Sequence, residues 1–358
     1  MCAAVKAEGN RRILERIAEI DITADLMEVC GTHTMAIAKS GLKSVLPSGI
    51  RLLSGPGCPV CVTPDGVIDA VLELSGEKNV IIATYGDMIR VPGSRRGDNL
   101  AARRAAGARS EVVYSPMDAI SLAQKEPDSQ VVFLGAGFET TAPGTAIAIK
   151  AASEMGLKNF TVLSMLKQVE PALRALMASP DFSVSGFLCP GHVATIIGEK
   201  GFAFLAEEYN MPAVISGFEA EDILISVYKL TKQISEGRAR LENEYTRAVR
   251  PEGNRSAINI MKEVLETRDD EWRGLGLIPA SGLKLKEEYA AFDAEVRFSL
   301  NTKSAPPANG CRCGDVLRGR IGPDECPLFG KVCTPEDPVG PCMFSSEGAC
   351  AAQYKYAQ

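Results

Sequence analysis

The last fifty residues constrain this chain most. From Cys311 to Cys350 six cysteines fall within forty positions, in the run CRCGDVLRGRIGPDECPLFGKVCTPEDPVGPCMFSSEGAC. Glycine and proline interrupt the run so often that no long helix or strand fits it. Its bulky apolar residues are too few to offset the entropy of ordering the segment. Something other than a hydrophobic core must therefore hold it, and sulfur chemistry is the obvious candidate. Structural zinc favours two close cysteine pairs. The gaps here are one, twelve, six, eight and seven residues, and four ligands drawn from six irregularly spaced thiols suit an iron–sulfur cluster better. Zinc, and disulfides or plain structural thiols, stand as the alternatives.

The remainder can build its own core. With 358 residues, 46% hydrophobic and 23% charged, the chain has the length and balance of a soluble protein of two or more domains. A net charge of −6 argues against a nucleic-acid partner, which calls for a basic face. No apolar run reaches the roughly 18 residues of a membrane span. The opening MCAAVKAEGNRRILERIAEID lacks the apolar centre of a secretion signal. Eleven cysteines without an export signal point to reduced thiols in the cytoplasm, with no membrane contact.

Apolar strands alternate with helices along the first two thirds. Residues 10–20 carry a helical stripe of Ile13, Leu14, Ile17 and Ile20. Leu26–Val29 reads as a strand, CGTHT as a loop and MAIAKSGLKSVL as a helix. IRLLSG, PGCPVCVTP and DGVIDAVLEL repeat the unit, and VIIATYG is a buried strand before the loop DMIRVPGS. This alternation predicts parallel α/β sheets.

The chain also echoes itself. Gln130–Lys150 resembles Asp25–Ser40 in a strand, a Thr-rich loop and an Ala/Ile helix. SGFLCPGHVAT at Ser185–Thr195 resembles SGPGCPVCVT at Ser54–Thr63, and AVISGFEAEDIL parallels VIIATYGDMI. Two related α/β domains are expected, 1–125 and 126–230, their parallel sheets facing a cleft lined by strand-end loops. A helical and mixed segment with the cysteine-rich, iron–sulfur domain fills 231–358. Within it ILISVYKLTKQISEGRARLENEY is expected to be one long helix, EVRF a strand and SAPPANG a linker.

Those loops hold the reactive side chains. Cys58-Pro59-Val60-Cys61 is a CxxC at a strand-to-helix turn, a setting for a nucleophile, a redox thiol or a metal ligand; the bland alternative is two small buried hydrophobes. Cys30-Gly31-Thr32-His33-Thr34 concentrates a thiol, an imidazole and two hydroxyls at an earlier strand end. The other histidine of the chain, His192, follows Cys189-Pro190-Gly191. Zinc on Cys58, Cys61, Cys189 and His192 is permitted by that spacing. Glu139 in GFETTAPG either lends a carboxylate to the cleft or caps a helix before Pro143. Asp87, Arg90 and Arg95 offer an anion site or a solvated charged loop. Gly135-Ala136-Gly137 has no third glycine in register, so no dinucleotide fingerprint is supported.

With these loops collected, the chain resembles the HypD family of hydrogenase maturation proteins nearly end to end. The resemblance rests on CGTHT at Cys30–Thr34, GPGCPVCVTP at Gly55–Pro64, GFETTAP at Gly137–Pro143, CPGHV at Cys189–Val193 and the cysteine tail. It implies a cytoplasmic scaffold for assembling the iron centre of [NiFe]-hydrogenase with its cyanide and carbon monoxide ligands. The partners it implies are HypC, in a stable complex, and HypE, which passes on the cyanide. It further implies that Cys30 holds the iron with the N-terminal cysteine of HypC, and that Cys58 and Cys61 form an essential redox pair beside that iron. A 4Fe-4S cluster is implied for the third domain, and the family pattern C-x14-C-x6-C-x16-C favours Cys311, Cys326, Cys333 and Cys350 as its ligands. Cys313 and Cys342 then remain as a second dithiol, with Cys311 and Cys313 interchangeable on spacing alone. Thiolates suit soft low-spin iron, and dithiols relay electrons by exchange. His33, His192 and Glu139 are expected as donors or proton carriers beside the iron. The rivals are a cluster-linked disulfide reductase and a zinc-stabilised interaction module.

Overall fold

A computed structural model describes residues 2–304 and 310–356, with side chains from residue 8 onward. The chain is an α/β protein with two sheets. The strands are β1 (Ala24–Glu28), β2 (Ile50–Ser54), β3 (Val80–Thr84), β4 (Arg109–Val112), β5 (Gln130–Gly137), β6 (Phe160–Lys167), β7 (Gly186–Pro190), β8 (Ala213–Ser216), β9 (Leu241–Asn243), β10 (Leu265–Trp272) and β11 (Gly276–Leu285). One sheet runs β2-β1-β7-β8-β9, parallel throughout. The other runs β10-β11-β6-β5-β3-β4, where β3 to β6 are parallel and the β10–β11 hairpin adds antiparallel to β6. Every residue of β3 and β6 is buried, as strands covered on both faces by helices must be.

The strands do not sort at residue 125. After β2 the chain leaves the first sheet, builds β3 to β6 of the second, and returns for β7 to β9. The two similar segments around β2 and β7 thus flank β1 in a single sheet, while β1 and its echo β5 lie in different ones. Parallel pairing needs a long crossover for each strand, so neighbours in the sheet are not dictated by neighbours in sequence. The carboxyl ends of β1, β3, β5 and β7 nevertheless open on one cleft of about 450 Å3.

Beyond β8 several expectations change. The helix from Ala220 stops at Ser235, because Gly237 turns the chain at φ +61° and Leu241–Asn243 becomes an edge strand. EVRF forms a helical turn, Ala294–Arg297, because the Asp293 side chain accepts the Glu295 and Val296 amides as an N-cap. The expected linker falls largely on residues 305–309, outside the described residues. The cysteine tail folds as short helices, Cys313–Leu317, Pro341–Phe344 and Ala349–Tyr356, joined by turns. Pro341–Phe344 packs on the turn Pro59–Val62, and Ala349–Tyr356 packs on the helix Gly31–Lys39. Among the described residues no helix is long and apolar enough to cross a membrane.

Candidate functional site

Cys30 ends the β1 segment and caps the helix Gly31–Lys39. The His33 and Thr32 backbone amides at the start of that helix favour the Cys30 thiolate, and its own N–H donates to Glu28 Oε2 at 2.9 Å. The other oxygen of Glu28 accepts the Thr34 hydroxyl at 2.5 Å. One buried carboxylate thereby clamps both ends of the loop. Burial raises Glu28 to about 7 and pushes the Cys30 thiol up to about 12, the Glu28 and Glu347 carboxylates adding to the latter. The thiol is therefore protonated until a cation replaces its proton.

The CxxC loop lies directly against this one. Gly31 N–H donates to Gly57 O at 3.1 Å, and a Cβ on Gly57 would sit 2.1 Å from the Cys30 nitrogen. Cys58 caps the single turn Pro59–Val62 through a 3.2 Å bond from Cys61 N–H, and the two sulfurs are 2.6 Å apart. Both are buried. Cys58 also meets Ser345 Oγ at 3.2 Å. Cys61 hydrogen-bonds Cys342, Cys342 bonds Cys313, and Cys313 bonds Cys311. Five thiols from three regions of the chain form a continuous line. Burial, then Cys342 and Cys58, holds the Cys61 thiol well above its usual range.

Cys311, Cys326, Cys333 and Cys350 line one small cavity with Cys313 and Cys342, among the apolar side chains of Val316, Leu328 and Phe329. Gly340 leaves room for Cys311: a Cβ there would meet its sulfur at 2.7 Å. Val339 N–H donates to Cys333 Sγ at 3.3 Å, the kind of bond that stabilises a thiolate. Six thiols around one small, mostly apolar cavity are a donor set from which four could hold a 4Fe-4S cluster. Among the described residues no three His, Cys, Asp or Glu side chains converge as a single ion would need. Cys58, Cys61, Cys189 and His192 accordingly form no zinc site. Cys189 is fully buried at the end of β7.

The other candidates divide. His192 reaches the cleft with one ring face stacked on Phe218 at 3.8 Å and the rest open, and that partial burial lowers its pKa. His33 is fully buried on another contact of the same ring, at 4.6 Å, with Nε2 against Gly217 O at 2.8 Å. Burial lowers it to about 4, so it is neutral. Glu139 turns away from the cleft that Phe138 and Thr140 line. Its Oε1 accepts Val169 N–H at 2.9 Å, which caps the helix Val169–Met177 rather than the one containing Pro143. Burial raises it to about 7. Asp87 lines the cleft, with Tyr85 and Tyr114. The sequence reading missed Glu28, Phe218, Ser345 and Glu347. Glu28 stands two positions before Cys30, and Ser345 and Glu347 lie between two tail cysteines, but nothing local says what they touch.

The family described as "Hydrogenase formation hypA family", HypD, matches residues 7–357. The chain belongs to the HypD family. It is 46% identical to the hydrogenase maturation factor HypD2 of Bradyrhizobium diazoefficiens over 100% of this chain and 93% of that protein. It is 46% identical to HypD of Azotobacter vinelandii, over 93% and 89%. HypD of Escherichia coli is 44% identical, over 96% and 93%. In this HypD chain the strand-end loops and the cysteine tail meet at one place, and the match spans both.

Proposed function

We propose that this HypD-family protein serves hydrogenase maturation as the scaffold on which the Fe(CN)2CO group of [NiFe]-hydrogenase is put together, in the cytoplasm. HypC is its stable partner and HypE its transient cyanide donor. The observation that carries this reading is the line of thiols from Cys58 through Cys61, Cys342 and Cys313 to Cys311, laid against the Cys30 loop.

Iron enters as cargo. Cys30 releases its proton on binding the metal, and the Thr32 and His33 amides hold the thiolate in place. The neighbouring Cys58 and Cys61 act as a second pair of sulfur ligands or as a dithiol that gives up two electrons and two protons on closing to a disulfide. Cys313 and Cys342 pass electrons between that pair and the tail. A 4Fe-4S cluster on Cys311, Cys326, Cys333 and Cys350 would supply those electrons one at a time. His192 reaches the cleft as a proton carrier, while His33 and Glu139 support its walls from behind.

The test replaces Cys30 by Ala and records infrared spectra of the complex with HypC. Loss of the bands of iron-bound cyanide and carbon monoxide is expected; their retention refutes the ligand role. The same thiol line also serves a second reading, a cluster-linked protein disulfide reductase. Such an enzyme keeps its activity in the Cys30→Ala protein, because Cys30 lies outside the dithiol.

A further inference from the structure

The turn of the β10–β11 hairpin reaches out of its sheet and lies between the dithiol loop and the cysteine tail. Arg273 N–H donates to Val62 O at 2.9 Å, one residue past Cys61. Gly274, at φ +76°, presses its backbone onto the tail: a Cβ there would meet Gly314 Cα at 2.7 Å and Cys313 Sγ at 3.5 Å. Arg318 Nη1 fixes the same turn by donating to Gly274 O at 2.6 Å. The Arg273 guanidinium is thereby brought to a pocket that Cys311 and Cys313 also line.

This guanidinium is 9% exposed. Its Nη1 forms a buried ion pair with Asp65 Oδ1, and the Arg273 charge pulls the Asp65 carboxyl down against the larger effect of burial. Cys311 and Cys313 line the same pocket as this buried ion pair.

We propose that Arg273 sets the reduction potential of the iron–sulfur group held at the Cys311 end of the tail, raising it. The proposal rests on the 4Fe-4S reading above. Reduction adds one electron to the thiolate-bound cluster, with no bond broken and no proton moved, so the negative charge grows by one. A fixed cation that is itself almost fully buried stabilises that added charge. The Asp65 carboxylate opposes it. The two residues of this ion pair therefore act on the potential with opposite signs.

The test is a potentiometric titration of the full-length protein, reconstituted anaerobically, with dithionite as reductant and the reduced cluster followed by absorption and electron paramagnetic resonance. Arg273→Gln is expected to lower the reduced-to-oxidised ratio at a fixed potential about tenfold, equivalent to 59 mV for one electron. Asp65→Asn, which frees the guanidinium, is expected to raise it, and Arg273→Lys to stay near the wild type. An intact cluster whose potential does not move in Arg273→Gln overturns the assignment, as does movement of both variants in one direction. Should Arg273→Gln fail to hold a cluster, Asp65→Asn decides alone: no rise overturns it. A wild-type protein without cluster absorption overturns the 4Fe-4S reading and this assignment together.

Discussion

Thr32 Oγ1 donates a 2.8 Å hydrogen bond to Glu347 Oε1, joining residues 315 positions apart. The contact closes the cysteine tail over the Cys30 loop. Gly31 makes it sterically possible, since a Cβ there would lie 2.5 Å from Glu347 Cβ. Glu347→Ala removes the bond at a cost of about 1 kcal/mol and loosens the cover over Cys30. Alkylation of the Cys30 peptide, followed by mass spectrometry, is expected to speed up. Glu347→Gln keeps an acceptor and is expected to behave like the wild type. Equal rates in all three proteins count against the coupling.

Gly57 holds the two cysteine loops together by having no side chain. In Gly57→Ala the new carbon meets backbone, 2.1 Å from Cys30 N and 2.3 Å from Val29 C. Backbone cannot rotate aside as a long side chain can, so the expected loss is about 3 kcal/mol. A urea denaturation midpoint equal to the wild type's rejects the close approach.

Glu139 gives stability a pH dependence of known sign. Its pKa rises from 4.5 to about 7 on folding, chiefly through burial. The folded protein then binds more protons than the unfolded chain between those values. Its contribution is full below pH 4.5 and is lost as pH rises through 7, on the order of 3 kcal/mol. His33 runs the other way: lowered to about 4, its contribution is present above 6.5 and is lost as pH falls through 4. Glu139→Gln mimics the protonated form, so the difference between its stability and the wild type's should grow from pH 5 to pH 8. A difference that stays flat rules out the raised pKa.

Phe218 touches both histidine rings. Phe218→Ala removes contacts worth about 1 kcal/mol per ring pair and uncovers the stacked face of His192. Because burial lowers His192, its pKa should climb toward the ordinary histidine value. The chain has two histidines, so an NMR titration resolves both without ambiguity. An unmoved His192 resonance shows that the stack does not shield it.

Cys342 is the middle of the thiol line. Cys342→Ala leaves the four proposed cluster ligands and the dithiol in place. Cluster absorption should survive, whereas reduction of an oxidised Cys58–Cys61 pair by the reduced cluster should slow sharply. Thiol counting by mass spectrometry reads the outcome, and an unchanged rate removes Cys342 from the path.

Much of the site was legible in the sequence because its reactive groups sit on strand-end loops, and those loops announce themselves. An apolar run such as VIIAT followed by a helical stripe is a local signal, read without knowing the sheet. The same holds for Cys30, Cys58, Cys61 and His192, each just past a strand. Glu139 shows the limit. It occupies the same kind of loop, but residue type does not reveal which way a side chain turns, and packing sent it to the Val169 amide.

The sequence by itself determined most of the α/β elements, the strand-end loops and a tail crowded with cysteine, glycine and proline, since each follows from side-chain period and composition within a short window. Tertiary structure decided the rest. Which sheet received each strand depended on crossovers, and the hold of Ser345 and Glu347 on the Cys58 and Cys30 loops depended on where the tail docked. Those contacts join residues hundreds of positions apart, and their energy comes from complementary surfaces that exist only once the chain has folded.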